Sequence, residues 1–92
     1  MRIRWSEGAE LQRDEARLRQ SSSTRLRQLN RKLREMLELI EQFPEAAKPH
    51  PDYNRSDIRM AVVGEYRMSY MILADEIIVI SFVHGKSNTA QD

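Results

Sequence analysis

Ninety-two residues suffice for one domain with a core of modest size. The chain is 40% hydrophobic and 32% charged, carries no cysteine and has a formal net charge of +1. That excludes a disulfide framework and a thiolate metal site. No apolar run approaches the roughly 20 residues of a membrane span, and the charged, alternating start Met1-Arg2-Ile3-Arg4-Trp5 is unlike a secretory signal. The expectation is a cytoplasmic protein, off the membrane, with no cofactor and no metal.

In chain order, Ile3 and Trp5 alternate with Arg2 and Arg4, which predicts a short strand with one buried face. Ser6 is the expected N-cap of a helix from about Glu7 to Gln20, with Glu7 and Glu10 at the end of the dipole that favours anions. Leu11 and Leu18, seven apart, define its expected apolar face, with Ala9 and Ala16 adding thin packing. Ser21-Ser22-Ser23-Thr24 breaks the pattern and should supply the cap of a second helix. There Leu26, Leu29, Leu33, Met36, Leu37, Ile40 and Phe43 recur at three- and four-residue spacing until Pro44 ends the run. Two helices with so short a break should fold back as a hairpin.

Residues 44–56, with three prolines, read as an irregular loop. The period then changes, with strands expected over Ile58 to Val63, Tyr66 to Leu73 and Glu76 to Val83, joined by turns at Gly64-Glu65 and Ala74-Asp75. Ile77-Ile78-Val79-Ile80 is apolar on both faces, so the last strand is expected to be central and covered on both sides. The small, polar tail from Lys86 to Asp92 is expected to fray. The fold class is therefore α+β: an N-terminal strand, a two-helix hairpin and a three-stranded antiparallel meander, with the helices on one face of a four-stranded sheet. The edge taken by the first strand stays open.

Charge is segregated along the chain. From Ala16 to Arg34 there are seven basic residues (Arg17, Arg19, Arg25, Arg27, Arg31, Lys32 and Arg34) and no acid; from Glu35 to Glu45 there are four glutamates and no base. Helix 2 thus carries cations in its first turn and anions near its end, against its own dipole, at a cost of ~0.3–1 kcal/mol per misplaced charge. The seven cations are a candidate site for an anionic partner; a merely solvated tip is the alternative.

Three local motifs accompany this order of elements: Ile58-Arg59-Met60-Ala61-Val62-Val63-Gly64, Tyr66-Arg67-Met68-Ser69-Tyr70, and Ile80-Ser81-Phe82-Val83-His84-Gly85-Lys86. Together with Phe43-Pro44-Glu45 at the end of the hairpin they resemble the ParE/RelE toxins of type II toxin–antitoxin systems, over almost the whole chain. The resemblance implies a toxin neutralised by a cognate antitoxin that packs across the hairpin and the sheet. Leu11, Leu18, Trp5 and Met71 are the candidate antitoxin groove, and a homodimer is expected when the antitoxin is absent.

The family divides by target. RelE-like members cut mRNA in the ribosome; ParE-like members block DNA gyrase by binding. RNA cleavage through the 2′-hydroxyl needs a base, an acid and cations for the pentavalent phosphorane. By resemblance, Arg67 stands at the transition-state arginine, Arg59 near the sheet lysines and Lys86 at a basic residue after the last strand, while some nuclease relatives use a histidine where His84 stands. Ser87, however, replaces a second essential arginine, and no C-terminal tyrosine follows. The ParE-like reading, not an enzyme, is preferred. A ribosome-dependent endonuclease using Arg59, Arg67, His84 and Lys86 is the alternative, and a non-toxic interaction remnant a third. For Arg67 and Arg59 a purely structural role stays open, in Arg67 through Asp57 or a backbone carbonyl.

Overall fold

The computed structural model describes residues 1–85. The expected frayed tail and Lys86 lie outside them. Strand β1 (Arg2–Trp5) leads into helix α1 (Glu7–Leu18) and helix α2 (Ser23–Gln42); strands β2 (Lys48–Pro49), β3 (Ile58–Val63), β4 (Tyr66–Ile72) and β5 (Glu76–His84) follow. The sheet order is β1-β5-β4-β3-β2, with β1 parallel to β5 and every other pair antiparallel.

Serine caps open both helices as their sequences require. Ser6 Oγ accepts from the Ala9 amide and Ser22 Oγ from the Arg25 amide, each at 3.1 Å. Helix α1 stops at Leu18 rather than Gln20, because the Gln20 side chain turns back to donate to Ala16 O at 2.8 Å. The chain then reverses, and Arg17 Nε donates to Asn30 Oδ1 at 3.0 Å to tie the two helices. Helix α1 lies over β5, and α2 lies against β3 and β1.

The sheet has five strands, not four. Lys48 pairs with Met60 and Pro49 with Arg59 inside the expected irregular loop. A proline is tolerated there because the next ladder bond comes from His50 N, which donates to Ile58 O at 2.8 Å, so the proline nitrogen faces away from β3. The first strand finds its edge against β5, where Ile3 pairs with Ile77 and Trp5 with Val79, placing all four on the helix side. Strand β5 is interior, as expected, but only one of its faces is covered. Ile77, Val79 and Phe82 are buried beneath the helices, whereas Ile78 and Ile80 are half-buried on a face that no other described element overlies.

The inner face of α1 is the reverse of the expectation. Ala9 and Ala16 are buried, while Leu11 is 62% and Leu18 85% exposed. Both pairs are seven apart, but only the alanines are small enough to let the helix backbone lie close on β5. In α2 the inward stripe is Leu29, Leu33 and Ile40, whereas Leu39 and Phe43 face outward. The core between the layers is completed by Tyr66, Met68 and Tyr70 of β4 with Phe82 of β5. Tyr66 stacks on Phe82 at 5.1 Å, and Trp5 lies 6.0 Å from Phe82 with the Arg13 guanidinium 4.7 Å over its ring.

One irregularity governs everything near the end of β5. Tyr70 pairs with Val79 but Ser69 pairs with Ser81, so Ile80 is an extra residue, a β-bulge. Past the end of β1, the free edge of β5 is met by α1: Gln12 Oε1 accepts from the Phe82 amide at 2.8 Å.

Candidate functional site: the basic end of the sheet

The turn Gly64-Glu65 joins β3 to β4 in two residues, with φ of +61° at Gly64 and no positive φ at Glu65, the pattern of a type II′ hairpin. The end of β5 lies beside it, as Gly85 N donates to Glu65 O at 2.8 Å. A Cβ on Gly85 would sit 3.4 Å from Glu65 O and 3.5 Å from Arg67 Nε, ordinary contact distances, so the Arg67 side chain passes beside this position. His84 contacts the Tyr66 ring edge-on at 5.4 Å and approaches Glu65 Oε1 at 3.6 Å.

Cations converge on this end from both helices. Arg19, at the end of α1, lines a hollow with Glu15, Tyr66, Phe82 and His84. Arg25 and Lys32 of α2 line an adjoining hollow with Gln20, Gly64, Glu65 and Tyr66, and the Lys32 chain passes over Gly64. Gln20 Nε2 lies 3.4 Å from Tyr66 Oη, joining the two hollows. Arg67 lies on the opposite face of the sheet, paired with Val62. Asp57 is held by Arg55 at 2.6 Å, and that guanidinium keeps its carboxyl below the usual range, so it is not a partner for Arg67. The Arg67 side chain forms no hydrogen bond or ion pair with another described residue.

Of the four candidate nuclease residues, the three that the structure describes do not assemble. Val62 pairs with Arg67 and Arg59 with Tyr70, so Arg59 points to the helix side and Arg67 to the open face. Arg59 is engaged elsewhere: its side chain, 11% exposed, donates to Ser56 O and Ala47 O at 2.9 Å and to Glu45 O at 3.4 Å, with the Glu45 carboxylate at 3.8 Å. His84 pairs with Tyr66 and so also lies on the helix side. An unbulged ladder would bring His84 onto the face of Arg67; the extra residue Ile80 moves it to the other. Lys86 falls outside the described residues.

The seven basic residues divide too. Arg19, Arg25 and Lys32 reach the end of the sheet. Arg17 is spent on Asn30, with Asp14 at 3.9 Å, and Arg31 lies 3.5 Å from Glu35. Arg34 faces a groove along β1 with Trp5 and Leu37, and Arg27 is exposed on the outer side of α2. The four groove candidates lie on three surfaces. Leu11 and Leu18 are outside α1, Trp5 is packed against Phe82, and Met71 is on the open sheet face between Ile58 and Ile78.

A groove that sequence reasoning missed runs between Met36 and Leu39 of α2 and Ala46, Pro49, Met60 and Val62 of the sheet edge. Leu39 and Val62 are exposed, as is Phe43 one turn beyond Leu39. The signal was present in α2. Its seven apolar positions within the predicted stripe, with Leu39 beside them, are more than one core-facing stripe absorbs.

A family model described as "ParE toxin of type II toxin-antitoxin system, parDE" matches residues 3–89. The chain belongs to this toxin family. No curated protein sequence matches it. Among solved structures, the ParE-family chain is similar to one from the chromosomal ParDE system of P. aeruginosa, at 11% identity and a TM-score of 0.67, covering 91% of this chain and 95% of that one. It is also similar to the YoeB dimer from Staphylococcus aureus (15% identity, TM-score 0.68, 91% and 95% covered). A YoeB/ParE toxin from Agrobacterium tumefaciens matches at 14% identity and a TM-score of 0.66, with 91% and 98% covered. At such identities these likenesses show the fold of the ParE-family chain, and neither branch of the superfamily is singled out.

Proposed function

We propose that this toxin arrests growth from the cytoplasm by binding and blocking a type II topoisomerase, DNA gyrase, and that it does not cut RNA. The observation that supports this reading is the bulge at Ile80, which leaves Arg67 and His84 on opposite faces of the sheet while Arg59 is consumed by loop carbonyls. A phosphorane needs its base, acid and cation within reach of one phosphate, and these three side chains do not share a surface.

A toxin of this family has an antitoxin partner. The antitoxin's place on this chain is the groove of Met36, Leu39, Pro49 and Val62, continued by Phe43, because it is apolar and bounded by a sheet edge that β2 covers only at Arg59 and Met60. Without the antitoxin the same face suits a homodimer, the assembly named for the S. aureus neighbour.

The test is supercoiling of relaxed plasmid by purified gyrase. The chain should abolish it at near-stoichiometric amounts, or leave cleaved DNA after denaturation, and gyrase unaffected at large excess would overturn the proposal.

A further inference from the structure

We infer that the open face of the sheet is the surface by which this toxin holds its protein target, and that the target presents there an apolar patch bordered by carboxylates. The inference rests on the reading that the toxin acts by binding a protein, and adds where the contact is made and with what chemistry.

A sheet covered by helices on one face should alternate, apolar toward the helices and polar toward water. The helix side here is filled by Ile77, Val79 and Phe82 of β5 and by Tyr66, Met68 and Tyr70 of β4. The other face should then be polar. It holds instead Ile78, Ile80 and Val83 of β5 and Met71 of β4, all half-buried, and the exposed Val62 of β3. The ladder sets these side by side: Met71 pairs with Ile78, and Arg67 stands between Val83 and Val62. Contiguous apolar side chains that no described element overlies mark a site of association.

Charge at the border selects the partner. By their register Arg2 and Arg4 of β1, Lys48 of β2 and Arg67 of β4 all stand on this face. The one acid among its described strand residues is Glu76, which Arg2 approaches at 3.4 Å and Arg4 at 3.2 Å. Two guanidiniums thus share one carboxylate, while Arg67 and Lys48 form no ion pair with a described residue. A target that supplies carboxylates around an apolar centre complements both features. A second copy of the chain does not, because it would set the same cationic border against itself.

A nucleic acid fits this face poorly. Its phosphates need a track of cations, and here the apolar band separates the arginines of β1 from Arg67. Its bases need aromatic platforms, and the aromatic side chains of the strands, Trp5, Tyr66, Tyr70 and Phe82, all pack on the helix side. Protein interfaces have the matching anatomy: a centre depleted of charge, enriched in methionine and arginine, inside a polar rim.

The test is inhibition of purified gyrase by the full chain and its variants, with growth arrest on induction as a second readout and circular dichroism as the check on folding. Arg67→Glu and Ile78→Gln should each raise the amount needed for half inhibition by at least about 30-fold, the loss expected at the centre of an interface, and should abolish the arrest. Met71→Gln, beside Ile78, repeats the apolar arm should Ile78→Gln fail to fold. Arg27→Gln and Leu18→Gln, on the outer sides of the helices, should match the parent. Folded face variants that inhibit gyrase as the parent does would overturn the inference and leave the gyrase reading standing. Loss in Arg67→Glu alone, with both apolar variants active, would also overturn it, in favour of a lone anion site. A parent that arrests growth with gyrase untouched and mRNA uncut would end the gyrase reading; the arrest then decides the inference, supporting it if the face variants lose the arrest and overturning it if they keep it. A parent that cuts mRNA, or arrests nothing, would overturn both.

Discussion

Replacing Arg59 by alanine should unfold the loop that carries β2, and the size of the effect can be worked from its hydrogen bonds. The guanidinium donates to Ser56 O and Ala47 O at 2.9 Å and more weakly to Glu45 O at 3.4 Å, fastening residues 45–47 and 56 to the start of β3. A hydrogen bond from a charged donor contributes ~1.5–3 kcal/mol. Two good ones, discounted because the exposed Ser56 carbonyl rehydrates when the donor is removed, give a loss of about 3 kcal/mol. For a domain of this size that lowers the thermal midpoint by roughly 12–24 °C. Arg59→Lys keeps one donor and should lose about half as much. Circular dichroism melts of the two variants and the parent measure both shifts. An alanine variant that melts within a few degrees of the parent but has lost toxicity would refute the reasoning. Arg59 would then be working on a partner and not on its own loop.

Three further outcomes follow from the same geometry. Gln12→Leu leaves the Phe82 amide without its acceptor and should cost ~1–3 kcal/mol in urea unfolding, with faster hydrogen exchange at Phe82; unchanged protection at that amide would contradict the contact. Tyr70 Oη donates to Pro44 O at 2.6 Å, and burial raises the phenol above its ordinary value of 10.0. Because the folded-state value exceeds the unfolded one, the associated stability is present below pH 10 and is lost as pH rises through the folded value. Parent protein should therefore weaken above about pH 10 relative to Tyr70→Phe, and parallel stability profiles would count against the buried phenol. Leu18→Ser, at a position 85% exposed, should change stability by no more than about 0.5 kcal/mol, and a loss above 2 kcal/mol would mean that α1 packs by its leucines.

Much of the architecture was legible because the periods are clean. The stripe in α2, the two serine caps and the tight turn at Gly64-Glu65 each left a local signature. The turn even held the answer for one candidate residue, since pairing Val63 with Tyr66 across two residues obliges Arg59 and Arg67 to face opposite ways. Other features had no local signature. Ala9 with Ala16 and Leu11 with Leu18 are equally spaced, and only the closeness of α1 to β5 selects the smaller pair. The bulge at Ile80 sits in a run of apolar residues where no residue type marks an insertion, yet it decides which face His84 occupies. Strand β2 escaped notice because two residues, one a proline, carry no period. The approach of Arg19, Arg25 and Lys32 to the Tyr66 end of the sheet is a product of tertiary folding, and their spacing along the chain does not announce it.

Primer extension on mRNA translated in a reconstituted system, with the toxin added, asks most directly whether this chain works by holding a target or by cutting one. The separation of Arg67, His84 and Arg59 predicts that the extension products match those without toxin. New ends at codon-defined positions that vanish with Arg67→Ala would contradict the account and return the chain to the nuclease branch of its superfamily.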